Sequence, residues 1–142
     1  MSTIEFTKAY ISRLCKSMGT TAEAIYSKKT GAWYFESNSA TIEVYLTTIE
    51  TDQKTERTFI RCVAPIFETP QDAKKKMLVY ETALEINTVR MGIKLGSLTD
   101  KGLLCVITER DIEGMDYKEF IDLISDIGFW ADTLNAYFKN TF

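Results

Sequence analysis

The chain has 142 residues, of which 45% are hydrophobic and 26% charged, with a formal net charge of −3 and an isoelectric point near 5.1. That length suits a single domain spanning residues 1–142, since roughly 100–200 residues per domain is usual, and it is enough to close a core without staples. An acidic chain lacks the basic stripe of a nucleic-acid binder, no run approaches the ~18 apolar residues of a membrane helix, and MSTIEFTKAY is not a secretory signal; the cytoplasm is the expected compartment.

There is no histidine and no CxxC pair, which argues strongly against zinc sites of the usual Cys/His kind, and neither a metal nor a cofactor is expected. Cys15, Cys62 and Cys105 are far apart, odd in number and set among apolar residues. They read as small buried hydrophobes.

Ser2-Thr3-Ile4-Glu5 matches a helix capping box, in which a hydroxyl and a carboxylate satisfy each other's orphan backbone donors. Phe6, Tyr10, Leu14 and Met18 then recur every four residues with Ile11 and Cys15 beside them, one apolar helical face that Gly19 terminates. After a polar stretch the period becomes two. Trp33 and Phe35 alternate with Tyr34 and Glu36, Ser37-Asn38-Ser39 is a tight turn, and Ile42, Val44 and Leu46 form the buried face of a second strand. The loop 51–56 leads to a third strand with Ile60, Cys62 and Ala64 on one face. These three strands make an antiparallel meander.

Thr69 and Pro70 suit the N-cap and first position of a second helix. Ala73, Met77, Tyr80, Leu84 and Asn87 follow at spacings of four, three, four and three, a narrow seam that serves either the core or a partner helix. A fourth strand around Ile93 and Leu95 turns at Thr99-Asp100-Lys101-Gly102 into a fifth, Leu103–Ile107, apolar on both faces. Such a strand is central or covered on its second face, and a second copy of the chain is a candidate cover. The last helix opens on Asp116 and Glu119 and carries the stripe Phe120, Leu123, Ile124, Ile127, Ala131, Leu134 and Phe138. It runs about 36 Å at ~1.5 Å per residue, and mid-helix Gly128 is expected to allow close packing on the sheet.

The predicted fold is α+β: an antiparallel five-stranded sheet with three helices in the order α-β-β-β-α-β-β-α. That order is similar to class I type III secretion chaperones, small acidic dimers. The chain also resembles the YbjN family, described as bacterial sensory transduction regulators with this chaperone-like fold. The residues carrying that likeness are Asn87, Gly92, the turn Asp100-Lys101-Gly102-Leu103 with its apolar strand, and Ala131-Asp132. It implies no catalytic residues.

Chemistry finds little purchase. No nucleophile elbow, P-loop or dinucleotide fingerprint is present, and Glu109, Asp111, Glu113 and Asp116 read as a solvated loop with a helix cap. The expected function is therefore non-enzymatic: a homodimer that holds an extended or partly folded segment of another protein. The alternative is a sensory or regulatory adaptor that binds a small ligand or signalling partner. Tyr34, Tyr45 and Ile49, opposite the buried strand face, are the candidate partner-binding residues, because tyrosine is enriched at interfaces; plain strand-forming propensity is the other reading. Met77, Tyr80, Leu84, Leu104 and Val106 are the candidate dimer interface. Neither nucleic acid nor membrane is an expected partner.

Overall fold

The computed structural model describes residues 2–142 and contains four helices and six strands. In chain order these are α1 (Thr3–Ser17), α2 (Ala22–Ile25), β1 (Tyr26–Ser27), β2 (Ala32–Ser37), β3 (Ala40–Glu50), β4 (Glu56–Glu68), α3 (Ala73–Val89), β5 (Lys94–Leu98), β6 (Leu103–Asp111) and α4 (Tyr117–Thr141). The strands form one antiparallel sheet ordered β1-β2-β3-β4-β6-β5. The α+β class and antiparallel sheet stand as predicted, but the count of five strands and three helices is corrected. The additions, α2 and β1, are four and two residues long, too short to show a period.

The capping boxes of the first and last helices form as read, with Ser2 paired to Glu5 and Asp116 to Glu119. Asn38 takes a positive φ of 52° in the β2–β3 turn, the left-handed conformation that asparagine tolerates. The start of α3 is corrected from Thr69 and Pro70 to Asp72, whose carboxylate accepts from the Lys75 N–H. Thr69 is instead held by its own N–H, which donates to the Gly102 carbonyl at 2.8 Å, and the residue before a proline disfavours helical backbone.

One core lies between the sheet and the helices. Ile42, Val44, Ile60, Cys62, Ala64, Leu104 and Val106 point into it from the strands and meet Ile11 and Cys15 of α1, Val79 and Ala83 of α3, and the α4 stripe. Phe120 and Phe138 are fully enclosed, each worth about 1.5–3 kcal/mol of burial. The α1 stripe is rotated from the predicted one: Thr7, Ile11 and Cys15 are buried, while Phe6 and Met18 are exposed. Residues four apart drift about 40° per step on a 3.6-residue turn, so the ends of the Phe6–Met18 series leave the core. Gly128 does lie against the sheet, so close that a Cβ at its position would stand 2.6 Å from Ser37 Oγ. Beside it, Asp132 accepts from Asn38 Nδ2 (2.6 Å), Ser39 Oγ (2.7 Å) and Ser39 N (3.3 Å), tying the β2–β3 turn to α4.

Candidate functional site

Helix α3 has two apolar faces. Val79 and Ala83 pack on the core, whereas Met77 and Leu84 are 61% and 67% exposed. Seven residues return to within about 20° on an α-helix, so Met77 and Leu84 lie on one line, on the face away from Val79. The 4-3-4-3 seam is therefore not the core face; it points outward with Tyr80 and Asn87 half-buried at its flank.

Asn87 fastens that flank to the sheet edge. Its Oδ1 accepts from Leu95 N at 2.7 Å and its Nδ2 donates to Leu95 O at 3.2 Å, so the side chain pairs with β5 as a neighbouring strand would. Between α3 and β5 an apolar groove of about 320 Å³ opens, lined by Tyr80, Leu84, Leu95, Gly96 and Leu104. Two predicted interface residues are corrected here. Leu104 and Val106 are 1% and 0% exposed and point into the core; alternation on β6 turns Leu103, Cys105 and Ile107 to the opposite face.

That opposite face carries no helix. Val63, Cys105 and Ile107 cluster there with Tyr45, Leu98 and Leu103. Around them the charges are matched: Arg57 with Asp111 (2.8 Å), and Glu109 with both Lys94 (2.6 Å) and Arg61 (3.3 Å). Tyr34 and Tyr45 lie on this face, half-buried, with their hydroxyls engaged: that of Tyr34 bonds with Thr30 Oγ1 and donates to the Glu43 carboxylate, and that of Tyr45 accepts from Arg61 Nη1 at 2.8 Å. Ile49 is 46% exposed, near the far end of β3. It is four residues beyond Tyr45, about 14 Å along the strand at ~3.4 Å per residue, whereas Tyr34 pairs with Glu43, two residues from Tyr45, so the structure brings Tyr34 and Tyr45 near each other and leaves Ile49 apart.

The carboxylates are committed to structure. Asp111 is held below the ordinary carboxyl range by the Glu113 N–H first and by Arg57 second, and Asp116 caps α4. A general acid at neutral pH needs the opposite shift. Burial pushes the Cys62 thiol up to about 12 and that of Cys105 to about 11, far from the depressed values of nucleophilic cysteines. Among the described residues no group of three or more His, Cys, Asp or Glu could hold a metal ion, and no helix is long and apolar enough to cross a membrane.

Sequence periodicity misses one feature, a sheet edge left open. Strand β1 pairs only with Ala32 and Trp33 of β2, so Tyr34–Ser37 have a neighbour on the β3 side alone. Beneath this edge is an apolar hollow of about 170 Å³ lined by Leu14, Met18, Phe35, Ile121 and Ile124. The exposed Met18 is the available signal, but as part of a regular stripe it reads as core.

Helices packed on one face of an antiparallel sheet give an α+β fold that solved structures share over nearly the whole chain. A chain of the ExsC–ExsE complex crystal structure superimposes with a TM-score of 0.71 at 8% sequence identity, covering 96% of this chain and 96% of that one. A chain of the HopA1–SchA chaperone–effector complex gives 0.63 at 11% identity, covering 92% and 94%. Identities this low show the fold alone. No family model and no curated protein sequence matches the chain, so the YbjN resemblance rests on the residues quoted above.

Proposed function

We propose that this chain is a non-enzymatic protein-binding module that works as a cytoplasmic homodimer and holds an extended or partly folded segment of another protein. The observation that carries the reading is the whole-chain likeness to components of protein complexes, one of them a chaperone with its effector. The open edge of β2 supplies backbone donors and acceptors, and the hollow at Leu14, Met18 and Phe35 takes an apolar side chain of the added strand. Backbone pairing gives affinity and the pocket gives choice. The outward seam of Met77 and Leu84 is the proposed dimer contact. Tyr34, Tyr45 and Ile49 remain a proposed second contact surface on the helix-free face.

Affinity capture from the native lysate with the tagged chain, followed by mass spectrometry and limited proteolysis, tests the holding role. One stoichiometric partner protected over a single segment is expected; a repeated blank overturns it. The groove between α3 and β5 favours a second reading, a ligand-sensing adaptor, because its volume falls within the usual small-molecule range. That reading expects a ligand-dependent rise in melting temperature that Leu84→Asp abolishes.

A further inference from the structure

The segment from Thr20 to Gly31, which contains α2 and β1, is weakly attached to the rest of the molecule. None of its residues is buried. Its ladder to the sheet is two residue pairs, Tyr26 with Trp33 and Ser27 with Ala32. Beyond that ladder stand the Thr20 N–H, which donates to the Cys15 carbonyl at 2.9 Å where the segment leaves α1, the Tyr26–Trp33 ring contact at 5.0 Å and the exposed bond between the Tyr34 hydroxyl and Thr30 Oγ1 at 2.9 Å. Ala22 and Ile25 touch the core only from its rim. Between the segment and α1 lies a cleft of about 350 Å³ lined by Lys8, Ser12, Ala22, Glu23, Tyr26 and Trp33. At its two ends stand Gly19 and Gly31, with φ of 78° and 72° and no neighbouring atom within 4 Å of where a Cβ would be. Such positions bound the segment with backbone that only glycine adopts at no cost.

Segments with few buried apolar contacts and solvent-exposed backbone bonds open locally, well below the free energy of global unfolding. The segment also sits on a particular place: β1 occupies Ala32 and Trp33, the part of the β2 edge that continues the open stretch Tyr34–Ser37. We propose that Thr20–Gly31 is a strap that swings away between Gly19 and Gly31 and bares the whole β2 edge, Ala32–Ser37, to an incoming strand. Closed, it limits pairing to four residues; open, it offers six and uncovers Trp33. The strap thus sets the access of an extended segment to the sheet, an inference that rests on the holding role proposed above.

Hydrogen-exchange mass spectrometry on the full chain, with no partner added, tests it. The amides of Thr20–Trp33 are expected to exchange as one unit at least ~100-fold faster than those of β3 and β4. Gly31→Ala strains the closed form alone and is expected to speed that unit a further ~5- to 30-fold, leaving β3 and β4 unchanged. Tyr26→Ala, which removes the exposed ring from Trp33, is expected to act in the same direction by about 2- to 12-fold. Exchange of the strap at the β3–β4 rate, or an equal acceleration of the whole sheet by both variants, overturns the proposal. Uniform protection would remove the strap and leave the holding role, while a blank affinity capture would remove the holding role and leave the strap.

Discussion

Replacing a helix-interior glycine by alanine ordinarily stabilises a protein by about 1 kcal/mol; at Gly128 the sign is expected to reverse. A Cβ there meets Ser37 Oγ at 2.6 Å, Ser37 Cβ at 3.2 Å and Ile42 Cδ1 at 3.6 Å. Rotation can clear the hydroxyl, but the Ser37 Cβ moves only if β2 moves. β2 is fixed by its register with β3, Phe35 opposite Ile42 and Ser37 opposite Ala40, and by the turn that Asp132 ties to the next turn of α4. Overpacking of this kind costs about 1–3 kcal/mol, which after the propensity gain leaves Gly128→Ala destabilised by about 1 kcal/mol. Urea unfolding followed by tryptophan fluorescence reads this as a lower midpoint at unchanged slope. Ser37→Gly removes both the 2.6 Å and the 3.2 Å contact, so the double variant is expected to recover at least ~0.5 kcal/mol relative to additivity. A Gly128→Ala chain more stable than the parent would refute the close approach of α4 to β2.

Three further outcomes follow from the same geometry. Met77→Asp and Leu84→Asp lie on the exposed seam and are expected to change stability by no more than about 0.5 kcal/mol while converting the proposed dimer to monomer by light scattering at tens of micromolar; Leu104→Ala, in the core, should cost about 2–5 kcal/mol. Asn87→Ala loses both bonds to Leu95 and strands the β5 edge, an expected loss of about 1–3 kcal/mol by chemical denaturation, with Asn87→Asp failing to rescue because it puts a carboxylate against the Leu95 carbonyl. Asp132 is held below its ordinary value by the Ser39 hydroxyl first and Asn38 second, and Asp111 by the Glu113 N–H and Arg57. A carboxyl with a depressed folded-state pKa stabilises above its unfolded value, near 3.8 here, and loses that contribution as pH falls through the folded one. Melting temperature should therefore be flat near neutrality and fall below about pH 4, and Asp132→Asn should flatten that acid limb.

Legibility follows physical scale. The strands and α4 are readable because alternation and the 3.6-residue stripe report directly which side chains are buried, and Ile60, Cys62, Ala64, Phe120 and Phe138 are where those patterns put them. α2 and β1 carry no such report, since a four-residue helix and a two-residue strand bury nothing and are defined by pairing to Ala32 and Trp33. The error at β6 has a different origin. A strand apolar on both faces does not reveal which face is outward, so the sequence offers Leu104 and Val106 as surface residues when Cys105 and Ile107 occupy that face. Tyr34 and Tyr45 show the converse limit: their face is readable, but not that Arg61, Glu43 and Thr30 already engage their hydroxyls.

The distribution of exposed apolar side chains gives the function its sharpest physical form. Scattered apolar residues on a surface are normal, but five of the twelve large exposed hydrophobics among the described residues, Met77, Leu78, Leu84, Val89 and Met91, fall between Met77 and Met91. The helix-free sheet face, which by area is the obvious place for a partner, instead neutralises its own charges through Arg57–Asp111 and the Arg61–Glu109–Lys94 cluster. Client contact there carries the cost of desolvating ion pairs that already have partners, which makes Tyr34, Tyr45 and Ile49 the secondary surface and not the main one. The open β2 edge carries no such penalty: an added strand would supply partners to backbone groups that no neighbouring strand pairs, and the hollow at Leu14 and Met18 would take an apolar side chain. A dimer formed along α3 would leave both β2 edges free, because α3 packs on β5 at the opposite end of the sheet from β1 and β2. Two copies of the chain would then offer two separate strand sites to one client, and the second site would raise avidity without any new contact.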